Sequence, residues 1–169
     1  MVIWITGLSG AGKTTLCTEL YRRLKPVVPH LVQLDGDAFR DAFNDLGHTE
    51  AERFKHISRV QRMAKLLADQ HLVVLVGVVY ANPELLAWNR ANLPGYVEVY
   101  LRAPFETVVA RDAKGLYARA LRGEIQNVVG VDIPWVEPVA PDLILDGSGA
   151  VTVQDLADQV QQVVSGLPR

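Results

Sequence analysis

Gly7-Leu8-Ser9-Gly10-Ala11-Gly12-Lys13-Thr14 sets glycines, a lysine and a hydroxyl in the spacing G-x-x-x-x-G-K-[ST], a pattern suited to holding phosphate. The glycines let backbone N–H groups wrap an oxyanion, and a helix that starts at the lysine adds favourable partial charge. In that arrangement Lys13 reaches the β- and γ-phosphates of ATP and the Thr14 hydroxyl is a ligand of Mg²⁺. Gly7, Leu8, Ser9, Gly10, Ala11, Gly12, Lys13, Thr14 and Thr15 are therefore the expected ATP-binding residues, with Thr14 as metal ligand. An apolar run before the motif and an amphipathic pattern after it supply the strand and helix that the chemistry requires.

A second group follows at Asp35-Gly36-Asp37 with Arg40. Two carboxylates at a strand end, with an arginine one turn into the next helix, would face the ligand crevice of a doubly wound sheet. A carboxylate there can orient an attacking hydroxyl, take its proton and help organise Mg²⁺. Asp37 could equally cap the helix that follows. Asp35, whose use as a cap is less evident, is the better candidate base. The guanine-reading [NT]-K-x-D motif of GTPase switches does not occur. No acidic residue ends the hydrophobic run 72–79, as it would in an ATP-driven motor. Lys13, Asp35 and a basic group further along are the pieces of a small-molecule kinase.

The elements that must hold these groups can be read from periodicity. Apolar runs at 2–6, 31–34, 72–79, 96–101 and 143–145 alternate with helical patterns at 13–24, 37–46, 50–70, 84–92, 105–112 and 152–164. That alternation predicts an α/β fold of the P-loop kinase type: a parallel five-stranded sheet flanked by helices, in a single domain over residues 1–169. Between 113 and 141 lies a basic helical stretch with Lys114, Arg119 and Arg122, then a Gly- and Pro-punctuated loop. That length suits a lid rather than a simple connection.

The chain has 169 residues, 49% hydrophobic and 21% charged, enough for one substantial core. A net charge of −2 and a pI near 6.1 argue against a nucleic-acid surface, which needs a basic face. The one cysteine, Cys17, cannot form an internal disulfide and reads as a buried apolar residue. With no leader pattern, and a longest apolar run of about ten residues against the roughly 20 of a membrane span, the expectation is a cytoplasmic protein without membrane contact. His30 and His71 fall at turn or helix-end positions and are expected in solvent. Trp4 is expected in the core, and Trp88 and Trp135 either line the acceptor site or pack.

Taken in order, Gly7–Thr15, Asp35-Gly36-Asp37 with Arg40, Asn44-Asp45-Leu46-Gly47, Glu52-Arg53, Arg111-Asp112-Ala113-Lys114-Gly115-Leu116-Tyr117, Gly123-Glu124-Ile125, Gly130-Val131-Asp132 and Pro141-Asp142-Leu143 cover nearly the whole chain. The sequence resembles the adenylylsulfate (APS) kinases. The resemblance implies transfer of the γ-phosphoryl of ATP to a ribose 3′-hydroxyl of a small nucleotide substrate. It implies Asp35 as base, with Lys13 and Lys114 as further catalytic groups, Lys114 on the lid. Asp37, Arg40 and Arg53 become substrate contacts, and Arg111 a nucleotide contact. Family members are often dimers, which makes a homodimer an expectation that no motif here carries.

Departures from the family fall on the acceptor side. His48 stands where the family has Phe, His56 where it has Asn, and Val128 where a second Phe follows the Gly-Glu-Ile segment. Tyr80-Ala81-Asn82-Pro83 replaces the family's Ser-Pro-[Phe/Tyr]-Arg. The two phenylalanines resemble a sandwich for the substrate adenine, worth roughly 1–3 kcal/mol per stacked face. His48, His56, Tyr80, Asn82, Lys114 and Val128 are thus the expected acceptor contacts of a rebuilt pocket. The sequence is also similar to APS-kinase-like proteins of bacterial capsule polysaccharide biosynthesis that phosphorylate cytidine diphosphoramidate. Two acceptors, APS and cytidine diphosphoramidate, remain open at this point. So do a nucleotide-dependent binding or regulatory protein without transferase activity, and a kinase for a non-nucleotide sugar or alcohol.

Overall fold

Five runs of β-branched and apolar residues form strands in the computed structural model, which describes residues 1–112 and 114–165. The strands are β1 (Val2–Thr6), β2 (Leu31–Asp35), β3 (Val73–Val78), β4 (Tyr96–Arg102) and β5 (Leu143–Asp146). Every pairing is parallel, and the order across the sheet is β2-β3-β1-β4-β5. All five residues of β1 are buried, as a central strand covered on both faces requires. The edge strand β5 alternates instead, with Ile144 exposed and Leu145 buried. Trp4 is wholly buried in β1, and its indole N–H finds no partner.

The helices are α1 (Lys13–Leu24), α2 (Gly36–Ala42), α3 (Glu50–Asp69), α4 (Pro83–Asn92), α5 (Phe105–Arg111), α6 (Leu116–Leu121) and α7 (Val153–Ser165). α1 packs beside α7 and α3 beside α4, so the sheet is flanked by helices as expected. None of the described helices is long and apolar enough to cross a membrane. The chain winds from β1 out to β2 in one direction and from β4 to β5 in the other. Ligand crevices open at such a reversal, beyond the carboxyl ends of the strands.

Element ends differ from expectation in one place that matters to the site. The helical pattern over 37–46 predicted one helix, yet α2 stops at Ala42 and Asn44 turns left-handed, with φ of 50°. The Arg40 guanidinium donates to the carbonyls of Asp45 (3.3 Å) and Gly47 (2.6 Å), folding that stretch back over the helix end. The expected lid boundary at Ala113, and residues 166–169 of the expected domain, lie outside the described residues. Within 114–141, α6 is followed by a turn in which Asp132 accepts from the backbone N–H groups of Asn127 (2.5 Å) and Val128 (2.6 Å). Cys17 is buried in α1, as expected. His30 and His71 are exposed. Trp88 lies under Arg62, and Trp135 donates to the Tyr100 hydroxyl at 3.3 Å.

α3 carries both Arg53 and His56, and its start is locked by a capping box. The Glu52 N–H donates to Thr49 Oγ1 (3.3 Å), while the Glu52 carboxylate accepts from the Thr49 N–H (2.9 Å). Thr49→Ala is predicted to lower stability by about 1 kcal/mol, seen as a lower urea midpoint at unchanged slope, and Thr49→Ser to restore most of it. An unchanged midpoint would show that the cap does not hold this end of α3.

Candidate active site

Gly10 and Gly12 take positive φ, 79° and 103°, and carry the chain from β1 into α1. α1 begins with no side chain capping its first turn and no acidic residue within it. Its N-terminal N–H groups are thus left for an anion. Lys13 is buried, and its Nζ donates to the carbonyls of Gly7 (2.9 Å) and Leu8 (2.8 Å). Burial pushes its pKa down to about 8, against smaller opposing pulls that include Asp37 and Asp35. A cavity of about 530 Å³ opens over the loop, walled in part by Gly12, Lys13, Thr14, Thr15, Asp35 and Arg111. Leu8 and Ala11 turn their side chains into the core and serve the loop through its backbone.

A second cavity of about 640 Å³ adjoins the first, and the two share Ser9, Gly36, Asp37 and Lys114 as wall. Arg40, His48, Arg53, His56, Tyr80 and Val128 line it, which brings together residues spread from 40 to 128. Arg53 donates to the carbonyls of His48 (2.8 Å) and Asn127 (2.6 Å), tying α3 to the turn that holds Val128. Burial, then Arg40, lowers the Arg53 pKa, and burial with Arg40 and Arg53 lowers that of His48. His56 falls furthest, to about 4, through burial and the nearby Arg40. Arg40, Arg53, Lys114 and Arg119 share this cavity's wall and favour an anionic ligand.

Where the cavities meet, Lys114 Nζ lies 2.7 Å from Asp37 Oδ2, and this bond is the largest cause of the lowered Asp37 pKa and the raised Lys114 pKa. Both side chains are largely exposed. Asp35 Oδ1 accepts from the N–H groups of Asp37 (3.0 Å) and Ala38 (3.1 Å), so Asp35 is the cap of α2. That corrects the capping role considered for Asp37, which sits within the first turn of α2 and is paired to Lys114. Because both bonds go to Oδ1, the other oxygen of Asp35 remains for chemistry.

One further expectation changes, and one that was open is resolved. Asn82 is not among the residues lining either cavity: its Oδ1 accepts from the N–H groups of Glu84 (2.9 Å) and Leu85 (3.4 Å) as the cap of α4. Trp88 and Trp135 line neither cavity and pack elsewhere. Arg111 is drawn to the loop by its backbone, donating to the carbonyls of Gly10 (3.2 Å), Gly147 (2.8 Å) and Ser148. Sequence reasoning assigned no part to Tyr117, although it lies in a motif block. Its hydroxyl donates to the Ser9 carbonyl at 3.0 Å and links α6 to the phosphate loop.

For Mg²⁺ the fit rests on donor type. The Thr14 hydroxyl and the Asp35 and Asp37 carboxylates, all on the wall of the first cavity, are hard oxygen donors of the kind this ion takes. Among the described residues no group of three or more His, Cys, Asp or Glu side chains forms a complete protein cage. Mg²⁺ bound through few protein ligands, phosphate and water needs none.

Comparison with known proteins agrees with this geometry. The model of the adenylylsulphate kinase family matches residues 1–146. The adenylyl-sulfate kinase of Paraburkholderia xenovorans is 44% identical over 149 residues, 86% of this chain and 82% of its own length. The cytidine diphosphoramidate kinase of Campylobacter jejuni is 36% identical over 166 residues, 98% of this chain and 95% of its own. The Mycobacterium tuberculosis APS kinase CysC, solved with AMPPNP and APS, superposes with a TM-score of 0.88 at 34% identity, covering 98% of this chain and 97% of that one.

The state of Lys13 generates a pH prediction. A triphosphate on the loop favours the ammonium form, so the bound lysine has a higher pKa than the free one. Below pH 8 free Lys13 is already protonated, and binding is insensitive to pH through this group. Above pH 8 binding must take up a proton, so affinity falls, towards tenfold per pH unit, until the pKa of the bound state is reached. Calorimetry in buffers of different ionisation enthalpy should register that uptake at pH 9 and little at pH 7.5. Equal uptake at both would contradict the assignment.

Proposed function

We propose, from a chain that belongs to the adenylylsulphate kinase family, that this phosphotransferase moves the γ-phosphoryl of ATP to the ribose 3′-hydroxyl of APS. The observation that carries this reading is the pair of adjoining cavities. One is a phosphate loop and the other is lined with arginines, and they meet at Asp37 and Lys114. A donor triphosphate in the first and an acceptor anion in the second would present their reacting ends to each other at that junction.

In this mechanism the loop backbone and Lys13 hold the β- and γ-phosphates, and Arg111 holds the nucleotide side of the loop in place. Mg²⁺, held in part by Thr14, would supply charge neutralisation at the phosphates. Asp35 orients the acceptor hydroxyl and takes its proton through the oxygen that the cap leaves unused. Arg40 and Arg53 hold the anionic end of the acceptor. Lys114 exchanges Asp37 for the transferring phosphoryl as 114–141 closes over the site, and Arg119 adds charge beside it. Such catalysis is positioning and electrostatics, with closure keeping water from the phosphoryl.

A second acceptor, cytidine diphosphoramidate, is favoured by the cavity wall. His48 and Val128 occupy the two positions at which the APS kinases resemble an aromatic sandwich, and the Campylobacter relative aligns over nearly the whole chain. That reading would place the protein in capsule polysaccharide biosynthesis.

ADP release from Mg-ATP with each acceptor separates the readings: turnover with APS supports the first and turnover only with the cytidine compound the second. Acceptor-independent release would contradict both. Lys13→Ala should abolish transfer. Because Asn caps a helix as well as Asp, Asp35→Asn should leave stability and ATP binding intact while lowering kcat by about 10²- to 10⁴-fold. Near-normal turnover in Asp35→Asn would remove Asp35 as base.

A further inference from the structure

His56 lies on α3 at the wall of the arginine-lined cavity, 3% exposed, with Phe39 edge-on to its ring at 5.8 Å between centroids. Its Nδ1 is closed off from solvent and stands 3.5 Å from Asp45 Oδ2. Asp45 also faces Arg59 at 3.3 Å and Arg40 at 3.9 Å. Paired with two arginines, the Asp45 carboxylate can only accept. The ring nitrogen turned towards it is therefore the one that carries the proton, and burial beside Arg40 keeps the imidazole neutral. The remaining nitrogen, Nε2, bears a lone pair. With Nδ1 shut away, the ring edge that reaches the cavity is the one holding Nε2.

The charged side chains around that lone pair are almost all donors. Arg40, Arg53, Lys114 and Arg119, which share the wall, can only donate, and the one carboxylate on it, Asp37, is engaged by Lys114. A ligand that met this wall with anionic oxygens alone would set an oxygen lone pair against that of Nε2. We propose that His56 is a specificity-determining residue, and that the acceptor must present an amino or amide N–H to Nε2. The inference rests on reading this cavity as the acceptor site. It deepens that reading by defining the substrate class: nucleotides carrying an exocyclic base amine or a phosphoramide nitrogen, in preference to their oxo counterparts. Sites built to hydrogen-bond a given polar group reject analogues that lack it far more strongly than apolar pockets reject a missing methylene.

Matched pairs test this by calorimetric binding to the full chain saturated with AMPPNP. APS against inosine 5′-phosphosulfate, and cytidine diphosphoramidate against uridine diphosphoramidate, isolate the base amine. Cytidine diphosphoramidate against cytidine diphosphate isolates the terminal amide. The wild-type protein should bind the amino member of at least one pair about tenfold or more tighter, and the pair that responds identifies the nitrogen. His56→Phe should bring that pair within about twofold of each other without moving the Kd of AMPPNP. Oxo ligands bound within twofold in every wild-type pair would overturn the proposal, and that arm needs no variant to fold. So would a preference that survives in folded His56→Phe. Selective binding of an acceptor that gives no ADP in a parallel incubation with Mg-ATP would sink the phosphotransfer reading and leave this one standing, whereas absence of binding by every acceptor would overturn both.

Discussion

The turn from β1 into the phosphate loop closes only because Gly7 has no side chain. A Cβ there would lie 2.5 Å from the Leu101 carbonyl oxygen of β4, closer than any real contact permits. β1 is the central strand, hydrogen-bonded to β3 on one side and β4 on the other, so its end cannot swing away from that carbonyl. The close pass delivers the Gly7 and Leu8 carbonyls to Lys13 and sets the two left-handed glycines that launch α1. Around this fixed point β2 and β3 bring Asp35 and Tyr80 to the same end of the sheet, and Arg111 reaches the loop from the end of α5. The phosphate loop is thus built by backbone geometry, and its chemistry follows from where that backbone must go.

Electrostatics divide the crevice in two. On the loop side a buried ammonium, held only by carbonyl oxygens, gains most when an anion arrives. On the other side Arg40 and Arg53 spend part of their donor capacity on backbone carbonyls, which fixes their planes and leaves their charge on the cavity. Between the two, Asp37 and Lys114 form an exposed pair. Exposed pairs of this kind contribute at most about 1 kcal/mol, so the lysine is not locked to Asp37. A junction that strong pairing would lock is instead held loosely.

Much of this was legible in the residues. The loop motif and the alternation of apolar runs with helical patterns located all five strands, and every expected helix is present. What escaped depends on contacts across space. Nothing in the pattern 37–46 shows that Arg40 will bond to the carbonyls of Asp45 and Gly47 and end α2 early. Local spacing left capping open for Asp37 and less evident for Asp35, which in the structure both ends β2 and caps α2. Asn82 looked like a pocket residue by position in the chain, yet the start of α4 needed its oxygen. The pairing of His56 with Asp45 spans a helix start and an irregular turn, and no periodicity links them.

The account turns on transfer between two adjoining sites with a ribose hydroxyl as acceptor, and the product reports that directly. Incubation with Mg-ATP and each acceptor, followed by two-dimensional ³¹P–¹H NMR, locates the new phosphate ester. A phosphomonoester coupled to the ribose H3′ of APS or of cytidine diphosphoramidate is the predicted result. Phosphate released to water, or an ester at any other position, would contradict it.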